Sequence, residues 1–130
     1  MDLQVETGAV RFEEWAKTGA AETSVVVRAR VGAARERQYA RWGAGHAGLN
    51  AFVEPVRLRK DGRFTADALR ALSSAEAAYA LSARALDRAL RVARTIADLA
   101  GDADVGRLAV AEALNMRALE RLRAGLGENA

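Results

Sequence analysis

The sequence predicts an all-α fold, an antiparallel bundle of four or five helices, and three observations lead there. Hydrophobic residues fill 51% of the 130 positions while aromatics fill only 5%, so the core must be built mainly from Ala, Leu and Val. A single proline interrupts the chain, and such a composition favours helices over a sheet. Several long stretches repeat apolar residues with the 3.6-residue period of a helix facing a core.

The first 21 residues hold only weak signals. Leu3-Gln4-Val5-Glu6 alternates as a short strand would, and Phe12 to Trp15 reads as a helical turn or connector before a polar loop through Gly19. Thr23 or Ser24 then caps a helix that should run to about Trp42. Its expected seam is Val27, Val31, Ala34, Gln38 and Trp42, flanked by Arg30, Arg37 and Arg41 on one side and Arg28 and Arg35 on the other. That arginine ridge is either a solvated face whose stems cover apolar neighbours, or a basic surface for DNA or an adjoining subunit.

Gly43 to Gly48 fits the spacing G-x-G-x-x-G, but it follows a helix and opens none, so it reads as a flexible loop. His46, the one histidine, has no cysteine or second histidine near it in sequence, and no metal site is expected. Pro55 suits the first turn of a short helix that Asp61-Gly62 ends. Thr65 caps the next helix, with Leu69, Leu72 and Tyr79 as its expected packing face and Leu81 as its close. Ser73-Ser74 lacks a nearby base or an elbow motif and reads as helix surface.

The longest clean helix spans 82–100. Ser82 can cap it, and no glycine or proline follows until Gly101. Leu86, Ala89, Leu90, Ala93, Ile96, Ala97 and Ala100 form the expected apolar face, with Leu90 and Ile96 expected to be buried in the bundle. Arg84, Arg88 and Arg91 share the opposite face, bordered by Asp87, Arg94 and Asp98 as part of a salted outer surface. Arg84 stands in the first turn, where free N–H groups and the helix dipole already favour an anion. Asp102 reads as a turn former and Asp104 as a cap before a last helix from about Arg107 to Arg123. Val110, Ala113, Leu114, Arg117 and Ala118 line one side of that helix, and Gly125 and Gly127 lead into a tail.

Composition excludes several classes of function. There is no cysteine, hence no disulfide framework and no thiol nucleophile. No apolar run approaches membrane-spanning length and no signal peptide opens the chain, so a soluble cytoplasmic protein is expected. The net charge of +3 is too small to imply nucleic acid by itself.

Several segments carry a resemblance. Leu81-Ser82-Ala83-Arg84-Ala85-Leu86-Asp87-Arg88 continuing through Leu99, Arg28 to Gln38, Leu49-Asn50-Ala51 with Leu58-Arg59, and Val110 to Leu114 with Arg117 together resemble the C-terminal region of magnesium-chelatase-like AAA+ ATPases. The match is nearest to the competence-associated ComM (YifB) branch. The resemblance implies a helical lid at 22–124, preceded at 1–21 by a remnant of the ATPase core edge and followed by a frayed tail at 125–130. It implies that Arg84, supported by the Ser82 cap, is the sensor-2 arginine that reaches nucleotide phosphates. It further implies an ATPase core on the same polypeptide, ATP and magnesium as its ligands, a homo-hexamer, and DNA translocation with branch migration in natural transformation. Two departures stand out: Gly62 lies where the family usually has a cysteine, and Ala109 where it often has a histidine. No Walker A or Walker B pattern occurs, so this chain alone is not expected to hydrolyse ATP or hold a cofactor. A free-standing helical module binding DNA or protein, and a chelatase-type remodelling subunit, are the alternatives.

Overall fold

The computed structural model describes residues 22–116, and within them the chain is all-α. Five helices follow one another: α1 (Ser24–Trp42), α2 (Pro55–Asp61), α3 (Ala66–Tyr79), α4 (Ala83–Ala100) and α5 (Arg107–Asn115). Two 3-10 turns, His46–Gly48 and Asn50–Phe52, bridge α1 to α2. The expected strand at 3–6, the connector at 12–15, and Arg117 with the end of the last helix lie outside the described residues.

Local chemistry sets the helix ends. Thr23, Thr65 and Ser82 each stand in extended conformation and accept from the backbone N–H three residues on, at 3.3, 3.1 and 3.2 Å. Pro55 begins α2, where its missing N–H costs no intrahelical bond. Gly101 closes α4 at φ 81°, a left-handed turn that a side chain would strain, and its N–H returns to the Ala97 and Asp98 carbonyls. The last helix is capped by Gly106 without a side-chain bond. Asp104 is therefore not its cap; its carboxylate instead accepts from Arg63 Nε at 2.7 Å.

Helix α4 is the centre of the bundle. It packs against α1, α2, α5 and the second 3-10 turn, while α3 packs on α5. Ala89, Leu90, Ala93 and Ala97 form a core with Leu58, Ala68, Leu72, Val105, Val110 and Ala113, and burying each of the larger side chains contributes about 1.5–3 kcal/mol. Leu86 and Ile96 pack at the edge of that core, and Ala100 is exposed. A single parallel bridge between Phe64 and Val105 joins the start of α3 to the start of α5; Thr65 donates to the Val105 carbonyl and Val105 to the Arg63 carbonyl.

Two expected packing faces need correction. On α3 the buried residues are Ala68, Leu72 and Ala75, whereas Leu69 and Tyr79 are exposed: small alanines let α5 approach one side, and the larger residues fall outside it. On α1 only Ala34, Gln38 and Trp42 are buried, because the first half of the helix extends past the elements it packs on. Val27 and Val31 remain exposed. At Gly62, a β-carbon would overlap the Leu58 carbonyl and the Phe64 ring, so this backbone has no room for the cysteine of the resembling family.

Candidate nucleotide-contact site and its polar support

The first turn of α4 combines a capped helix start with an exposed arginine. Ser82 satisfies one of its N–H groups through Oγ, and the positive end of the helix dipole opens beside it. Arg84 stands in that turn, exposed, and among the described residues its side chain has no ion-pair or hydrogen-bond partner. It borders an open groove of about 720 Å³ whose apolar floor includes Pro55, Val92, Ile96 and Leu99. An exposed guanidinium beside a capped helix start fits a phosphate, which it would meet with a forked pair of donors. Among the described residues no three His, Cys, Asp or Glu side chains are grouped to hold a metal ion.

Two other charges along this face, Asp87 and Arg91, have internal work. Asp87 accepts from Arg59 of α2 at 2.6 Å. Arg91, which shares the exposed arc with Arg84 in a helical projection, turns one nitrogen to three carbonyls: Asn50 at 2.9 Å, Ala51 at 3.1 Å and Val53 at 2.6 Å. One guanidinium thereby gathers the carbonyls of the second 3-10 turn and fixes the groove's far wall. Arg91 is a packing residue, whereas Arg84 is unengaged.

Behind the groove lies a buried polar core that the sequence reading misplaced on the outer surface. Arg94 and Asp98 are each 0% exposed. The Asp98 carboxylate accepts from Arg94 Nη2 at 3.0 Å, from both terminal nitrogens of Arg41 at 2.8 and 3.2 Å, and from Asn50 Nδ2 at 2.9 Å. Arg94 also donates to the carbonyls of Gly62, Ala103 and Asp102 at 2.8, 3.1 and 2.9 Å, and its Nε alone lacks a partner. Burial pushes the Arg94 guanidinium below its ordinary range, with Asp98 opposing and Arg41 reinforcing that shift. Asn50 completes the network. Its N–H donates to Gln38 Oε1 at 2.8 Å, its Nδ2 also donates to Thr95 Oγ1 at 3.0 Å, and its Oδ1 accepts from Trp42 Nε1 at 2.9 Å. In a helical projection Arg94 lies about 40° beyond Leu90, the edge of the apolar arc, and about 20° from Asp87, a border position that does not by itself announce burial.

The arginine ridge of α1 divides. Arg41 pairs with Asp98, and Arg37 donates to the Asp98 carbonyl at 2.8 Å, so both tie α1 to α4. Arg30 stands apart in a two-pronged pair with Glu22, at 3.0 and 2.8 Å. That hydrogen-bonded pair lowers the Glu22 carboxyl and raises the Arg30 guanidinium from their ordinary values. A DNA or subunit contact through all three would have to break these internal bonds. His46 lies against the Phe52 ring, 3.9 Å between centroids, which gives it a packing role in the loop.

Comparison with known proteins places this arrangement. The family model for the C-terminal domain of magnesium chelatase subunit ChlI matches residues 21–117. The chain belongs to the magnesium chelatase C-terminal family. It is 35% identical over 122 residues to the competence protein ComM of Haemophilus influenzae, covering 93% of this chain and 23% of that protein. It is 37% identical over 101 residues to the uncharacterized protein YifB of Escherichia coli, covering 78% of this chain and 19% of the relative. An uncharacterized protein of Mycobacterium tuberculosis is 38% identical over 117 residues, covering 90% and 23%. The chain spans about a fifth of the length of these curated relatives. No solved structure matches it. The matched residues take in the whole described bundle, including Ser82, Arg84 and the Asp98 network. No helix among the described residues is long and apolar enough to cross a membrane.

Proposed function

We propose that this domain is the lid of a magnesium-chelatase-like ATPase and that Arg84 meets the nucleotide phosphates bound by the core. The observation that carries the reading is the unengaged Arg84 guanidinium in the Ser82-capped first turn, on a face where Asp87 and Arg91 are committed to internal partners. The core would hold ATP with its magnesium. Arg84 would add one positioned charge where negative charge gathers on the transferring phosphoryl group. The Asp98 network ties α1 to α4, so a displacement felt at Arg84 would be passed to α1.

A finer reading follows from the family resemblance, a homo-hexameric motor that translocates DNA and migrates branches during natural transformation; the relative named competence protein ComM supports its link to competence. A test of the nucleotide contact needs the full-length ATPase and an arginine-selective reagent, read by mass spectrometry with and without ATP. ATP should shield Arg84 and leave Arg35 reactive. Equal modification of Arg84 in both states would remove the basis of the proposal.

A further inference from the structure

We propose that the N-terminal half of α1 is a docking arm for a protein segment that offers an apolar centre bordered by carboxylates. Every residue from Glu22 to Ala33 is exposed, while the second half of the helix is seated on α4 and the first 3-10 turn. One stripe runs through both halves. Val27, Val31, Ala34, Gln38 and Trp42 lie within an arc of about 80° on the helix. The lower three are buried, and Val27 and Val31 continue the same interface at 37% exposure each, with Val26 beside them more exposed still. A helix face that is half seated and half bare awaits a second surface in line with the first.

Charge selects the occupant. Arg28 and Arg35 border the stripe about 80–100° from Val27, both exposed and, among the described residues, without a partner. Glu36, the one acidic residue on α1, lies on the opposite side of the helix. A second copy of the arm would set these arginines against one another, and like charges across a seam are destabilising. Glu22 already shows the favoured contact in this chain: its carboxylate spans both terminal nitrogens of Arg30. The valines between the arginines favour a protein surface over a nucleic acid, whose phosphates would leave them uncovered. This inference is independent of the nucleotide contact at Arg84, which lies on a different helix.

The test uses the full 130-residue chain and NMR titration with a synthetic amphipathic Leu/Glu peptide, a Leu/Lys peptide of the same pattern, and a DNA duplex. The Leu/Glu peptide should shift the Arg28, Val27, Val31 and Arg35 signals selectively. Val27→Ser with Val31→Ser should weaken that binding by about tenfold or more. Arg28→Glu with Arg35→Glu should transfer the preference to the Leu/Lys peptide, and an unchanged thermal melt would show that these exposed changes leave the fold intact. No shifts, shifts mapping elsewhere, or equal binding of the two peptides would overturn the proposal. Stronger binding of the duplex at these residues would reassign the arm to nucleic acid, and self-association moving the valine signals would reassign it to a second copy; either overturns the stated partner.

Discussion

Replacing Asp98 by alanine should be among the most damaging single changes available in this domain. Its carboxylate is the counter-charge shared by Arg94, which is fully buried, and Arg41, whose side chain is 15% exposed. Asp98→Ala leaves Arg94 with three carbonyl acceptors but no opposite charge, and leaves Asn50 Nδ2 with Thr95 alone. Breaking a buried pair by deleting one partner costs about 3–5 kcal/mol. A domain of this size has roughly 5–14 kcal/mol to lose, and each kcal/mol moves Tm by about 4–8 °C. The expected fall in Tm is therefore on the order of 12–40 °C. Circular-dichroism melts of Asp98→Ala and Asp104→Ala side by side give the comparison, because the Asp104–Arg63 pair is exposed and should be worth about 0–1 kcal/mol. Combining Asp98→Leu with Arg94→Met should recover part of the loss, since replacing both members of a buried pair by apolar residues is often near neutral. Equal losses for Asp98→Ala and Asp104→Ala, or a double variant no better than Asp98→Leu alone, would refute the reasoning.

Leu90→Ala should cost about 2–5 kcal/mol in denaturant melts, whereas Arg35→Ala should stay within about 0.5 kcal/mol, because only the first side chain fills the core. Arg91→Ala should cost about 1.5–3 kcal/mol and raise amide exchange across residues 50–53, whose carbonyls that guanidinium gathers. The Glu22 carboxyl should titrate below its ordinary value in NMR and return to it in Arg30→Ala. Since its pKa is depressed in the folded chain, the contribution of this pair is present above the ordinary carboxylate pKa and is lost as pH falls through the folded value.

Much of this bundle was legible because its signals are local. Thr23, Thr65 and Ser82 announce helix starts through a hydroxyl within reach of an N–H three residues on, and Gly101 announces an end through its left-handed turn. Those rules need no tertiary information. Which face of α3 is buried could not be read that way: Leu69 and Tyr79 are the more hydrophobic choice, but α5 comes close only where Ala68 and Ala75 leave space. The valines of α1 misled for the opposite reason, since the periodic stripe is real but α4 ends before it does. At the candidate site, Arg84 and Ser82 were visible from their place in the first turn. The division of labour among Arg37, Arg41 and Arg91 was not, because it depends on residues 38 to 61 positions away coming to meet them. Arg94 sits just outside the apolar arc of α4, and its burial depends on the Gly62, Asp102 and Ala103 carbonyls that close around it.

The most direct measurement is steady-state ATP turnover of the full-length ATPase carrying Arg84→Ala. Arg84 is exposed and packs into no core, so the isolated domain should melt as the unaltered chain does. Turnover should nevertheless fall by about one to three orders of magnitude, the loss typical when one positioned charge is removed from a transition state. Arg84→Lys should restore only part of it, because a point charge does not reproduce the guanidinium fork. Arg70→Ala is the matched control, an exposed arginine on another helix; Arg91→Ala would not serve, since it also releases the 50–53 turn. Unchanged turnover in Arg84→Ala, or an equal loss in Arg70→Ala, would contradict the assignment of Arg84 to the nucleotide.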